Sequence, residues 1–373
     1  MIYLDYAAAT PVDPAVLERF CLTAQSFSGN PNSHHSAGYA ASTEMERVSV
    51  SIASMLGINP QEIIYTSGAS ESNNLSIKGI ARTSRHTGKH IISTALEHPS
   101  VSGCLTALQE LGYEIDLVDI KSNGKIDLTH LQELLRKDTI LAAVSAVDSE
   151  LGTIQPIDKI IEILHDYPEC HLHIDAAQAV GKTKLTFHGA DTVSFTPHKF
   201  YGLNGSGILF KRKGLVIEPL IHGGVSTTIY RSGTPTLALA AATDTALQLA
   251  LVQQAERVRT VKQHNKVLRT VLSSYAKVQI NSPTDAIPHI LNLSVQGVKG
   301  NTFQKALDKY GICVSVKSAC SVNGAPSRAV FAVSRNRKNA MCSWRISLSH
   351  LTTKDEIEQF LTAFDKCYQE LVK

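Results

Sequence analysis

The chain has 373 residues, 43% of them hydrophobic and 18% charged, with a formal net charge of +3. That is long enough for two packed cores and excludes a disordered chain; no basic stripe marks a nucleic-acid surface, and the densest cluster, Arg335-Asn336-Arg337-Lys338, reads as a solvated loop. No run reaches the ~20 apolar residues that cross a bilayer, and 7 scattered cysteines without a CxxC pair disfavour disulfide frameworks and zinc sites.

In chain order, Met1–Pro14 shows no basic region followed by an apolar run, so no signal peptide is expected. Short apolar runs then alternate with helical stretches. The expected strands are Glu62–Thr66, His90–Thr94, Glu114–Val118, Leu141–Ala146, His171–Ile174, Thr192–Phe195 and Gly207–Phe210. Helices are expected between them over Ser100–Leu111, Leu128–Arg136 and Ile157–Asp166. From Thr236 to about Tyr275 the chain lacks Pro and Gly and keeps apolar residues at helical spacing, which predicts one long helical stretch. Strands near Ile290–Leu293 and Arg345–Ser347 and an amphipathic helix from Lys354 predict a smaller α+β unit at the end. The alternation predicts an α/β fold with a mainly parallel sheet. No metal site, nucleic acid or membrane is expected as a partner, and a cytoplasmic chain with free thiols fits.

The chemistry starts at His171-Leu-His-Ile-Asp175-Ala-Ala-Gln178. A buried strand that ends in Asp puts a carboxylate at the C-terminal edge of the sheet, where open α/β folds bind ligands; an N-cap is the other use of such a residue. The next strand runs into Thr196-Pro-His198-Lys199 and a glycine-rich segment ending at Gly207. A lysine and an aspartate at the ends of consecutive strands are what pyridoxal phosphate (PLP) needs: an amine to carry the aldehyde and a carboxylate to keep the ring nitrogen protonated. Thr66-Ser67-Gly68-Ala69-Ser70-Glu71 adds a small-residue turn into a helix, a cradle for a phosphate or an ordinary helix cap. His98, just past another strand and before Pro99, is placed to stack on a ring, to exchange protons, or simply to be satisfied by the fold.

These segments resemble the NifS/IscS-like cysteine desulfurases of the class V aminotransferase superfamily, from end to end. The likeness runs through Tyr3–Asp13, Gly29-Asn30-Pro31, Thr66–Asn74, Glu97-His98, Val180-Gly-Lys182, His198-Lys199, His222-Gly-Gly224, Arg231–Thr234, Ser318-Ala-Cys320-Ser and Trp344–Leu348. The resemblance implies the PLP-dependent transferase fold (fold type I), with a large domain over 13–250 and a small one formed by 1–12 with 251–373. By the same resemblance Lys199 carries PLP, Asp175 pairs the ring nitrogen, His98 stacks on the ring and Gln178 reaches its hydroxyl. Ser70, Ala69, Thr196 and His198 hold the phosphate. Thr234 reaches the phosphate of a neighbouring subunit, which implies a homodimer. Arg345 grips the substrate carboxylate, with Asn30 and Ser149 also at the substrate.

Cys320 sets the reading apart from amine transfer. It stands in a polar loop with Gly and Pro, suited to a group that swings into a site, whereas Cys313 and Cys342 lie in apolar runs and read as core. The expected activity is conversion of L-cysteine to L-alanine, with the sulfur held on Cys320 as a persulfide for an acceptor protein. Iron–sulfur cluster assembly, tRNA thiolation and thiamine sulfur supply all suit that product. Another class V aminotransferase or β-lyase, or a low-activity PLP-binding sulfur-trafficking protein, shares the Lys199–Asp175 pair. The chain also departs from the family pattern at Asp148-Ser149, Val225-Ser226-Thr227 and Val316-Lys317.

Overall fold

The computed structural model describes residues 1–317 and 325–372; Cys320 lies outside the described residues. β1 (Ile2–Tyr3) leads into α1 (Pro14–Ser26) and α2 (Ser36–Leu56). The alternating part follows: β2 (Ile63–Thr66), α3 (Ala69–Thr83), β3 (His90–Thr94), α4 (Pro99–Gln109), β4 (Glu114–Val118), α5 (Leu128–Leu134), β5 (Thr139–Ser145), α6 (Ile157–Leu164), β6 (His171–Asp175), β7 (Thr192–Phe195) and β8 (Gly207–Lys211). Then come α7 (Leu237–Val252), α8 (Gln254–Leu272), β9 (Val278–Ile280), β10 (Ile290–Val295), α9 (Gly300–Asp308), β11 (Ile312–Cys313), α10 (Arg328–Ser334), α11 (Arg337–Cys342), β12 (Ser343–Ser347) and α12 (Lys354–Leu371). Every expected strand is present, with small shifts at the ends.

The large sheet has the order β2-β8-β7-β6-β5-β3-β4, and β8 alone is antiparallel to its neighbours. Parallel strands need helices on both faces, and the side chains alternate accordingly. Ile91, Leu141 and Leu209 pack with α3 and α4, while Ile92, Ala142 and Phe210 pack in the core that includes residues of α1, α2 and α7. The strands β2, β3, β5, β6 and β7 run the same way, so their C-terminal ends share one edge.

A smaller antiparallel sheet, β12-β10-β9, has its own core. Trp344 stacks on Phe303 at 5.2 Å between centroids, and Ile2 and Leu4 from the start of the chain join this core. The expected single helix over Thr236–Tyr275 is instead two helices that part at Gln253. No Pro or Gly marks the break. Leu247 and Ala250 of α7 belong to the large core, whereas Val261, Leu268 and Leu272 of α8 belong to the small one, so the chain turns where it changes cores. The basic cluster at 335–338 is exposed, but its second half is the first turn of α11 and not loop.

Candidate active site

The shared strand edge forms one wall of a cavity of about 330 Å³, within the ordinary range for small-molecule sites. Asp175 ends β6 and pairs in register with Ser145 of β5 and Ser194 of β7. One carboxylate oxygen accepts from the Ala177 N–H at 2.9 Å and the other from the Asn73 amide at 2.8 Å. Lys199 follows β7 in a turn of 3-10 helix, and its amine donates to the carbonyls of Ala7 and Ala8 at 2.9 and 2.7 Å. The segment after β1 is laced beside it, because the Thr10 hydroxyl donates to the His198 carbonyl at 2.9 Å and accepts from the Tyr201 N–H at 2.7 Å.

The Ser67–Ser70 turn opens α3 onto the same cavity. Glu71 holds that turn, accepting from the Ser67 N–H at 2.7 Å and pairing with Arg231 at 3.0 Å. Gly207 lets β8 pass close behind, where a Cβ would meet the Gly68 backbone at 2.6 Å. An anion at this turn would meet the free N–H groups and positive end of the helix.

Gln178 is oriented from both ends. Its amide nitrogen donates to the Ala7 carbonyl at 2.9 Å, and its oxygen accepts from the Lys182 amine at 2.6 Å. Burial, Lys199 and Arg345 together pull the Lys182 amine down to about 7. Burial and the cations Lys199 and Lys182 likewise bring His198 down to about 4. Arg345 is fully buried, donating to Asp5 at 2.9 Å and to the Ser149 carbonyl at 2.7 Å. An amine, a facing carboxylate, a helix N-terminus and a guanidinium thus converge on one cavity, and these donors and acceptors fit PLP.

The chain matches the aminotransferase class-V family over residues 2–360. It is 36% identical to a NifS/IcsS protein homolog of Lactobacillus delbrueckii subsp. bulgaricus, over 100% of this chain and 98% of that one. It is 35% identical to a cysteine desulfurase IscS of Dictyoglomus turgidum, over 99% and 95%. The chain belongs to the class-V aminotransferase family, in its NifS/IscS branch. Solved structures agree. A NifS-like protein superposes with a TM-score of 0.93 at 32% identity, covering 99% of this chain and 100% of that one. SspA in complex with cysteine gives 0.83 at 29%, covering 95% and 100%.

Of the residues that the NifS/IscS resemblance points to, Lys199, Asp175, His98, Gln178, Ala69, Ser70, Thr196, His198, Ser149 and Arg345 all line this cavity. Thr196 spends its hydroxyl proton on the Ser206 carbonyl at 2.8 Å and meets His198 Nδ1 at 2.9 Å. Asn30 and Thr234 are not brought to it. Asn30 is exposed and closes a turn, its side-chain oxygen accepting from the Asn32 N–H at 2.9 Å, and Thr234 lies exposed on the segment that follows Arg231. Cys342 is buried as expected, but Cys313 is only half-buried, because β11 is an edge strand paired to β1 alone. Lys317, the last described residue before Cys320, donates to the Ala325 carbonyl at 2.8 Å.

Sequence reasoning missed Asn73, Ser100, Lys182 and the Ala7–Ala8 carbonyls as parts of the site. The only signal for Asn73 is that α3 carries Ser72, Asn73 and Ser76 where an inward helix face ordinarily carries apolar residues.

Proposed function

We propose that this protein converts L-cysteine to L-alanine with PLP carried on Lys199, and passes the sulfur to Cys320 as a persulfide. The observation that carries the reading is the convergence of Lys199, Asp175, the α3 N-terminus and Arg345 on one cavity, in a chain of the NifS/IscS branch. Bound PLP supplies an electron sink conjugated to the substrate α-carbon.

The chain's residues supply the rest. Arg345 binds the substrate carboxylate, and the Asp175 carboxylate holds the proton on the ring nitrogen. His98 packs over the ring, Gln178 meets its hydroxyl, and Ser70 with the N–H groups of the α3 turn, together with Thr196 and His198, takes the phosphate. Lys199 Nζ takes the α-proton. The Cys320 thiolate attacks the substrate sulfur; the S–S bond forms as the C–S bond breaks, the β-carbon is protonated, and return of a proton from Lys199 Nζ to the α-carbon completes alanine. The acceptor of the sulfur is a further protein.

The working unit in this reading is a cytoplasmic homodimer that binds neither nucleic acid nor membrane. Thr234 serves the neighbouring subunit's phosphate, which is consistent with its exposure and with the exposed Ile221, Val225 and Ile229 on the same segment. No described helix is long and apolar enough to cross a membrane. The division into 13–250 and 1–12 with 251–373 draws support from the second core, which joins Ile2 and Leu4 to residues from Val261 onward, while Ala7, Ile287, Ile290, Ala329, Val330, Ala332 and Ala340 pack in the large core.

The test is L-alanine production from L-cysteine by PLP-loaded protein with a reductant present. Wild type is expected to form alanine, Cys320→Ala to keep the cofactor's visible band and lose alanine, and Lys199→Ala to lose both. A wild-type protein that carries the band and forms no alanine would overturn the reading.

A further inference from the structure

Asn73 is wholly buried on α3, and all four hydrogen-bonding positions of its amide are taken. Its nitrogen donates to Asp175 at 2.8 Å and to the Ser100 hydroxyl at 2.9 Å. Its oxygen accepts from His173 Nε2 at 3.0 Å and from the Ser194 hydroxyl. Flipping the amide would set its oxygen against the Asp175 carboxylate, so the orientation is assigned by the network.

With the Asn73 amide donating into its oxygen, the Ser100 hydroxyl directs its own proton to His98 Nδ1, at 2.8 Å. The Ser100 backbone N–H donates to the same nitrogen at 3.1 Å. A ring nitrogen that accepts from a backbone N–H carries no proton of its own. The proton of the neutral ring is then on Nε2.

We infer that Asn73 and Ser100 are positioning residues that join Asp175 and His98 into one hydrogen-bonded unit and hold His98 as the neutral Nε2–H tautomer, a hydrogen-bond donor to substrate and not a proton carrier. This rests on the proposed reading of the cavity as a PLP and L-cysteine site. Protonating Nδ1 would turn an N–H against the Ser100 backbone N–H, which cannot rotate away. His98 is also the N-cap of α4, where the positive end of the helix disfavours an imidazolium. The titratable groups acting on the ring are Asp175, at the end of β6, and Lys199, after β7. Burial and Lys199 both favour the neutral ring and Asp175 opposes them, burial being the largest. The expectation of proton exchange at His98 thereby narrows to donation from one nitrogen.

The experiment is ¹⁵N NMR of the histidine rings in the PLP-loaded enzyme, with His98 assigned from the signals lost in His98→Gln. The expected result is an unprotonated Nδ1 and a protonated Nε2, with no titration from about pH 6 to about pH 8. Ser100→Ala keeps the backbone N–H and removes the hydroxyl, so Nδ1 should stay unprotonated while its resonance shifts. Asn73→Ala, which touches His98 nowhere, should shift the same resonance by releasing the Ser100 hydroxyl. An Nδ1–H tautomer, a titration midpoint inside that window, or an Nδ1 resonance unmoved in Ser100→Ala overturns the inference. The tautomer is read without turnover, so its failure is separable from failure of the desulfurase reading, which alanine production tests.

Discussion

Arg345 shows how tightly single residues of this site are committed. Its guanidinium is buried, and two of its nitrogens are held by Asp5 and by the Ser149 carbonyl, contacts that reach to the start and to the middle of the chain. A lysine has one donor group and no fork with which to span both. Arg345→Lys is therefore expected to raise KM for L-cysteine by about tenfold or more, equivalent to at least ~1.4 kcal/mol of binding, with a smaller change in kcat. Steady-state alanine kinetics across cysteine concentrations separate the two. The departure at Ser149 is consistent with the same geometry. The contact to Arg345 uses the Ser149 backbone carbonyl, which any residue at that position would offer.

At the scale of elements, the phosphate cradle depends on how closely β8 passes the turn into α3. Gly207 sits opposite Gly68, and an added methyl at Gly207 would lie 2.6 Å from the Gly68 Cα, so one of the two backbones must move. Overpacking of this kind costs about 1–3 kcal/mol. Gly207→Ala is expected to lower the denaturant midpoint by that amount and also to weaken PLP retention, because the element displaced is the one that presents its N–H groups to the phosphate. Equilibrium unfolding and PLP titration of the apo protein check the two parts. A stability loss with unaltered PLP affinity would show that β8 yields and the cradle does not.

For the whole molecule, stability is coupled to pH through carboxyls buried near the site. Glu97 accepts from Thr94 and from the Ser145 hydroxyl and N–H, yet burial, with Asp175 adding to it, drives its pKa up to about 7. Burial and Glu150 likewise drive Asp148 up to about 7, and one of its oxygens has no hydrogen-bond partner among the described residues. A folded pKa above the unfolded one means the native state holds the proton more tightly. These carboxyls therefore contribute stability that is fully present below their unfolded pKa and is lost as pH rises through about 7. Asp148→Asn removes that charge while keeping the oxygen that accepts from Glu150 and Leu151. It is expected to raise Tm at about pH 8 on the order of 3 °C, with the gain smaller at about pH 5 and vanishing below about pH 4. Melting curves at the two pH values decide it; an equal gain at both would place the effect in packing instead of ionisation.

The strand-ending Asp175, the strand-following Lys199 and the turn at Ser67–Ser70 were legible in the sequence because local pattern fixes them. A buried strand is an apolar run, and the residue that ends it stands at the sheet edge whatever the rest of the chain does. The α/β class followed from the same alternation. Other features were decided only by tertiary structure. The helix break at Gln253 has no breaker residue; it exists because two cores claim successive stretches of one apolar pattern. Asn73 reads as an ordinary polar helix residue until packing buries it against Asp175, His173 and Ser194. Asp5, Ala7 and Ala8 carry no sequence signal for Arg345 or Lys199, since a contact across most of the chain depends on how the two cores close over the site.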